Sequence, residues 1–171
     1  MHFMQPDSKT DKAGKCVVSP NHKWFGLSLQ AMVVLSRKQQ ACSSNELAGY
    51  LKSEATMLRR VLAKLAREGL LETREGRDGG YRLNRLPEAI TLADVYLALK
   101  VGDPLCSGML DTTGVHEFGQ EMKQAFVEIT DEVERKTVET LQQTTLLQLA
   151  DRVCALKHLN QEETASPALG V

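Results

Sequence analysis

Aromatic residues are scarce in this chain: 5% of 171 residues, within a hydrophobic total of 42%. Its core must be built from aliphatic side chains, which suits packed helices. Long apolar runs are missing as well. Stretches such as AMVVL at 31–35 fall far short of the about 20 apolar residues that span a bilayer. The opening MHFMQPDSKTDKAGK has no apolar stretch of signal-peptide length. A cytoplasmic protein with no membrane partner is the expectation. Paired metal-ligand spacings are absent too. Cys16, Cys42, Cys106 and Cys154 stand 26, 64 and 48 residues apart, and His2, His22, His116 and His158 are equally scattered. No metal and no cofactor are expected, and four cysteines do not make a disulfide framework in a long chain without an export signal. Nor does any grouping combine a nucleophile, a base and an orienting residue. No catalytic residue is assigned, and the chain is not expected to be an enzyme.

Net charge of either sign is nearly absent, at -1. The total hides an asymmetry. Through residue 85 there are fifteen basic and eight acidic side chains; from residue 103 onward there are five and twelve. Only the front half is suited to a polyanion.

The length allows one domain, or a small domain with a helical extension, and a core that needs no staples. Residues 1–20 are polar, contain Pro6, Gly14 and Pro20, and read as a flexible N-terminal tail. Residues 24–38 are long and apolar enough for a helix, with Leu27, Ala31, Val34 and Leu35 on one face. SSNE at 43–46 is a capping box that starts a short second helix over 44–51. Ser53 is placed to cap a third helix over 54–67. Leu58, Val61, Leu62 and Leu65 form its buried stripe, and Gly69 ends it.

After Gly69 the period changes. Leu71 and Thr73, then Tyr81 and Leu83, alternate around EGRDGG, which predicts two strands joined by a glycine turn. Pro87 breaks the chain, and Thr91 with Asp94 caps a fourth helix, TLADVYLAL. Residues 101–115 hold Gly102, Pro104, Gly108 and Gly114 and read as a loop. A long amphipathic helix over 117–142 carries Phe118, Met122, Phe126, Ile129, Val133 and Leu141 at steps of three or four or multiples of them. Such a helix spans roughly 37 Å, more than a small domain covers alone, so these six residues are expected at a homodimer interface. Thr144 or Thr145 caps a last short helix, LLQLADRV, and residues 157–171 read as a disordered tail.

Helix, short helix, turn, helix and two-stranded hairpin make a mainly α chain: a winged helix-turn-helix with a long C-terminal dimerisation helix. The boundaries that follow are a DNA-binding domain over 21–100, a sensor loop over 101–116, and a dimerisation helix with its terminal helix over 117–156. In this architecture the third helix enters the major groove of double-stranded DNA and the hairpin reaches the backbone or the adjacent minor groove. The residue types agree. An aliphatic stripe docks the third helix, while Thr56, Arg59, Arg60, Ala63, Lys64 and Arg67 lie on its other face, where arginine serves both phosphates and guanine edges. Arg59-Arg60 taken alone is more often just a solvated helix face. Together with the capped helices and the wing, DNA binding is the better account. A protein-interaction adaptor built on a winged helix without specific DNA binding is the alternative.

The segment SSNELAGYLKSEATMLRRVLAKLAREGLLETREGRDGGYRLNRLPEAITLADVYLAL resembles the Rrf-two family of bacterial regulators. The ELA helix, LRRVL, the EGLL junction, the G-x-x-GGY-x-L wing and the P-x-x-ITL-x-DVY helix carry the likeness. It covers residues 22–100 well and extends more loosely to 153. The resemblance implies a homodimeric transcription factor, usually a repressor, whose long helix crosses to the partner subunit. It offers Thr56, Met57, Arg59 and Arg60 for base contacts and Arg74, Arg77, Gly79 and Gly80 from the wing. Ser53 and Lys64 complete the DNA-facing candidates. The family's arginine before the first wing glycine is Glu75 here, with Arg74 beside it.

Iron–sulfur members of that family carry three clustered cysteines between the fourth and the long helix. This chain has Cys106 alone there, with His116 ten residues on, so no family-type cluster is expected. Cys106 is either a redox thiol in an exposed loop or a packing residue; Cys16 is a second redox candidate, and Cys42 and Cys154 read as packing residues. No motif specifies a small-molecule effector.

Overall fold

The computed structural model describes residues 20–38, 40–76, 79–101 and 108–164. Residues 1–19, including Cys16, lie outside the described residues, as do Arg77, Cys106 and 165–171.

Caps set the helix boundaries. α1 runs Pro20–Ser36, four residues earlier than the apolar pattern indicates. Proline is at home in a first helical position, where its missing N–H has no intrahelical partner to lose. Ala31, Met32 and Leu35 of α1 are buried, and Leu27 and Val34 are partly so. α2, Ser44–Leu51, begins on the expected box: Ser43 Oγ accepts from Glu46 N at 3.2 Å, and Ser43 N donates to Glu46 Oε2 at 2.8 Å. Lys52, in the left-handed region at φ 49°, closes it.

α3, Ala55–Arg67, corrects one expectation. Ser53 does not cap it. Glu54 occupies the N-cap position without a side-chain bond, and the Ser53 hydroxyl is buried with no partner among the described residues. Ser53 N instead donates to Ala48 O at 3.0 Å, closing α2. The stripe of Leu58, Val61, Leu62 and Leu65 is fully buried, each side chain contributing about 1.5–3 kcal/mol. Gly69, at φ +72°, ends the helix: Leu70 N reaches Leu65 O and Gly69 N reaches Ala66 O.

β1 (Leu71–Arg74) and β2 (Gly80–Leu83) pair antiparallel, with Leu71 opposite Leu83 and Arg74 opposite Gly80. Cys42 adds a bridge to Tyr81, donating to its carbonyl at 3.0 Å and accepting from its N–H at 2.9 Å. The hairpin is thereby tied to the residue that precedes α2. Pro87–Ala89 form a single 3-10 turn. α4, Leu92–Leu99, starts on the expected Thr91–Asp94 box.

The loop expected over 101–115 is not wholly irregular, because residues 108–110 are helical. α5 runs Glu117–Gln142, as its apolar spacing indicates, with His116 Nδ1 accepting from Gly119 N at 3.0 Å. α6 runs Leu146–Thr164, longer than the short helix expected, and so takes in part of the segment read as a disordered tail. Thr145, not Thr144, caps it, through reciprocal bonds with Gln148. A bridge between Thr91 and Thr145 returns the end of α5 to the start of α4. The core gathers Met32, Leu47, Leu62, Ile90, Leu99 and Leu146 from α1 through α6. No helix among the described residues is long and apolar enough to cross a membrane.

Candidate nucleic-acid interface

At 100° per residue, positions 56, 59, 60, 63 and 67 of α3 fall within an arc of about 100°, opposite the buried stripe. Thr56, Arg59, Arg60, Ala63 and Arg67 are all exposed there. Met57 and Lys64 sit on the flank and are half-buried. The Lys64 ammonium donates to the carbonyl of Leu99. It thus caps the C-terminal end of α4, where a cation is favoured, instead of pointing out with its neighbours. The first turn of α3 has no side-chain cap, and Glu54 at the N-cap makes no side-chain bond to its N–H groups.

The cations of this region fall into two sets by their partners. Arg82 is paired across the hairpin with Glu72, Arg85 lies 3.9 Å from Asp94, and Lys64 is held by Leu99. Lys52, Arg59, Arg60, Arg67 and Arg74 have no ion pair and no side-chain hydrogen bond among the described residues, and all five are exposed. Lys52 escaped the motif reading; its signal was its place in the turn directly before α3. Uncompensated cations on one helix face and its flanking turns are the electrostatic footprint of a phosphate-binding surface.

The wing glycines have steric duties. A Cβ on Gly79 would lie 2.5 Å from the carbonyl of Arg74, so the hairpin turn itself requires glycine there. Gly80, at φ +153°, presses on the backbone of Cys42 and Ser43. That contact joins wing to α2, and it accounts for Gly80 without DNA. Arg74 and Glu75 are exposed at the tip. Tyr81 packs against the core beneath the wing.

Cys42 is buried, 1% exposed, as a packing residue should be. Burial pushes its thiol above the ordinary value, opposed by the Lys38 ammonium 3.5 Å away. Cys154 departs from expectation: it is exposed on α6. Among the described residues no three His, Cys, Asp or Glu side chains come together as a metal site. Among the described residues, Cys42, Cys154 and His116 are not brought together as a donor set, and Cys16 and Cys106 lie outside the described residues. Cys42 is enclosed at the wing junction, Cys154 is on α6, and His116 is engaged as the cap of α5.

On α5, Phe118, Met122, Ile129 and Val133 fall within an arc of about 60°. Phe118 is 64% exposed, Ile129 50% and Val133 42%, while Met122, Phe126 and Leu141 are half-buried. The helix packs on its own domain mainly through α4, where Tyr96 donates to Glu134 at 2.8 Å.

A model of the Rrf2 family, described as iron-dependent transcriptional regulators, matches residues 23–152. A protein of Lactococcus lactis subsp. lactis named as the HTH-type transcriptional regulator YffB is 31% identical over 128 residues, 72% of this chain and 82% of that one. Among solved structures, a transcriptional regulator from Lactobacillus plantarum superposes with a TM-score of 0.67 at 20% identity, covering 84% of this chain and 98% of its own. CymR, the global cysteine regulator of B. subtilis, superposes with a TM-score of 0.55 at 23% identity, covering 81% and 98%.

Proposed function

The chain belongs to the Rrf2 family of DNA-binding, winged-helix transcriptional regulators, and on that footing we propose that it is a homodimeric repressor of a palindromic operator. The family is one of regulators and not of enzymes. One observation carries the DNA reading: Arg59, Arg60 and Arg67 project from the face of α3 opposite its buried stripe, without a partner among the described residues, flanked by Lys52 and Arg74. Thr56, Met57, Arg59 and Arg60 are assigned to base edges, and Lys52, Arg67, Arg74 and Arg77 to phosphates. The apolar stripe of α5 supports a two-fold dimer, which presents two such faces to two half-sites.

The regulator works without a family-type iron–sulfur cluster, and its response runs through a thiol or a ligand. Of the cysteines, Cys106 and Cys16 remain the redox candidates. Purified protein is tested against a library of promoter fragments by gel retardation. Retained fragments should share an inverted repeat, and Arg59→Glu with Arg60→Glu should release them. Retention by the reversed protein would end the DNA reading. Stoichiometric iron and sulfide after anaerobic purification would end the cluster-free one.

A further inference from the structure

A groove of about 450 Å³ opens between α1, the end of α2 and α6, away from the α3 face. That volume lies within the range of small-molecule sites. Val33, Leu51, Leu149 and Val153 supply apolar walls, and among the described residues the charged side chains lining the groove are Arg37 and Lys38. Arg37 Nη2 donates to the carbonyl of Ala150 at 2.8 Å, which holds the guanidinium across the gap between α1 and α6. This is one bond from a group with five donors. No carboxylate among the described residues pairs with Arg37. Lys38 is turned toward Cys42 and stands near Glu46.

An apolar trough that ends at one anchored, uncompensated guanidinium has the polarity of an amphipathic anion. A planar fork fits a carboxylate through two parallel bonds. We propose that this groove binds a small carboxylate with an aliphatic or aromatic body, the body lying along Val33, Leu149 and Val153 and the carboxylate resting on Arg37. Leu51, the last residue of α2, is one wall of the site and adjoins the Lys52 turn into α3. The site owes nothing to the face that meets DNA.

Isothermal titration of the full chain with decanoate, in the absence of DNA, tests this. The expected result is saturable binding at one per protomer, with decylamine bound at least tenfold more weakly. Arg37→Gln should weaken decanoate at least tenfold. Val153→Glu, at a site already 43% exposed, should abolish decanoate binding and leave the association state unchanged. Equal affinity for acid and amine, several weak sites per protomer, or an undiminished Arg37→Gln protein overturns the proposal. Dissociation of a dimer by Val153→Glu overturns it as well, because the groove would then belong to a second copy. Failure of any of these leaves the DNA-binding reading intact.

Discussion

Replacing Arg59 and Arg60 together by alanine should change how DNA affinity responds to salt, by an amount that follows from the structure. Both side chains are exposed and have no ion pair among the described residues, so the fold should lose no more than about 0.5 kcal/mol. Five cations per protomer without a partner among the described residues, Lys52, Arg59, Arg60, Arg67 and Arg74, make ten in the proposed dimer. If each neutralises one phosphate, log K falls with log salt at a slope of about -9. Affinity then drops about 10⁵-fold between about 50 and 200 mM salt. Removing four of the ten reduces the slope to about -5.4 and the drop to about 10³-fold. Arginines that read guanine edges instead would leave more of the slope, but cost about 1–3 kcal/mol of discrimination for each lost pair. Fluorescence anisotropy on a selected operator and a scrambled duplex, across a salt series, separates these outcomes. An unchanged slope with an unchanged specificity ratio, in a folded double variant, would refute the reasoning.

Three further outcomes follow from the packing. Gly80→Ala drives a methyl group into the Cys42 backbone at a φ that L residues rarely adopt, and should cost about 1–3 kcal/mol in urea denaturation; an unmoved midpoint would show that the wing is not fastened there. The exposed apolar stripe of α5 runs from Phe118 to Val133, so in the proposed dimer an antiparallel two-fold pairing sets Met122 of one copy against Ile129 of the other. A Met122→Cys, Ile129→Cys double variant should cross-link under mild oxidation, and non-reducing gels with no cross-linked band would reject that register. Cys42 has a folded-state pKa raised above the ordinary 9.0 by burial. The folded state therefore holds its proton longer than the unfolded chain, and the associated stability is present below about 9 and lost as pH rises further. Urea midpoints across that range should fall more steeply for the parent than for Cys42→Ala; parallel profiles would contradict it.

Local chemistry made much of this fold legible. SSNE started α2, T-x-x-D started α4, and the spacing of Leu58, Val61, Leu62 and Leu65 assigned the docking face of α3, because each feature acts within one helical turn. What stayed hidden depends on residues far apart in the chain. Ser53 has the right type for a cap, but α3 begins one residue later than a Ser53 cap requires, and Ser53 is spent on closing α2. Gly80 reads as a flexible turn residue, whereas the contact that demands glycine lies at Cys42. Lys64 shares the recognition helix with Arg59 and Arg60, yet its partner is Leu99. Of the proposed interface, the arginine face could be read from periodicity. Which cations remain unpaired could not, since that is settled by the register of β1 against β2 and by where α4 ends.

Cations have opposite fates on the exposed face of α3 and in the middle of α5, and this explains why a nearly neutral protein can hold DNA. On α5, Arg135 sits between Glu132 and Glu139, and Lys136 reaches Glu139. The hydrogen bond from Arg135 keeps the Glu132 carboxyl below its usual range and raises the guanidinium's own pKa. These exposed pairs add little stability. Their larger effect is to cancel charge on the helix that the proposed dimer brings against a second copy of itself. On α3 no acid stands within a turn of Arg59 or Arg60 on the exposed face, since Glu54 and Glu68 lie at its two ends. A polyanion within a Debye length of about 8 Å meets the local field and not the total. Segregation of paired from unpaired cations therefore matters more to the partner than the formal charge of -1.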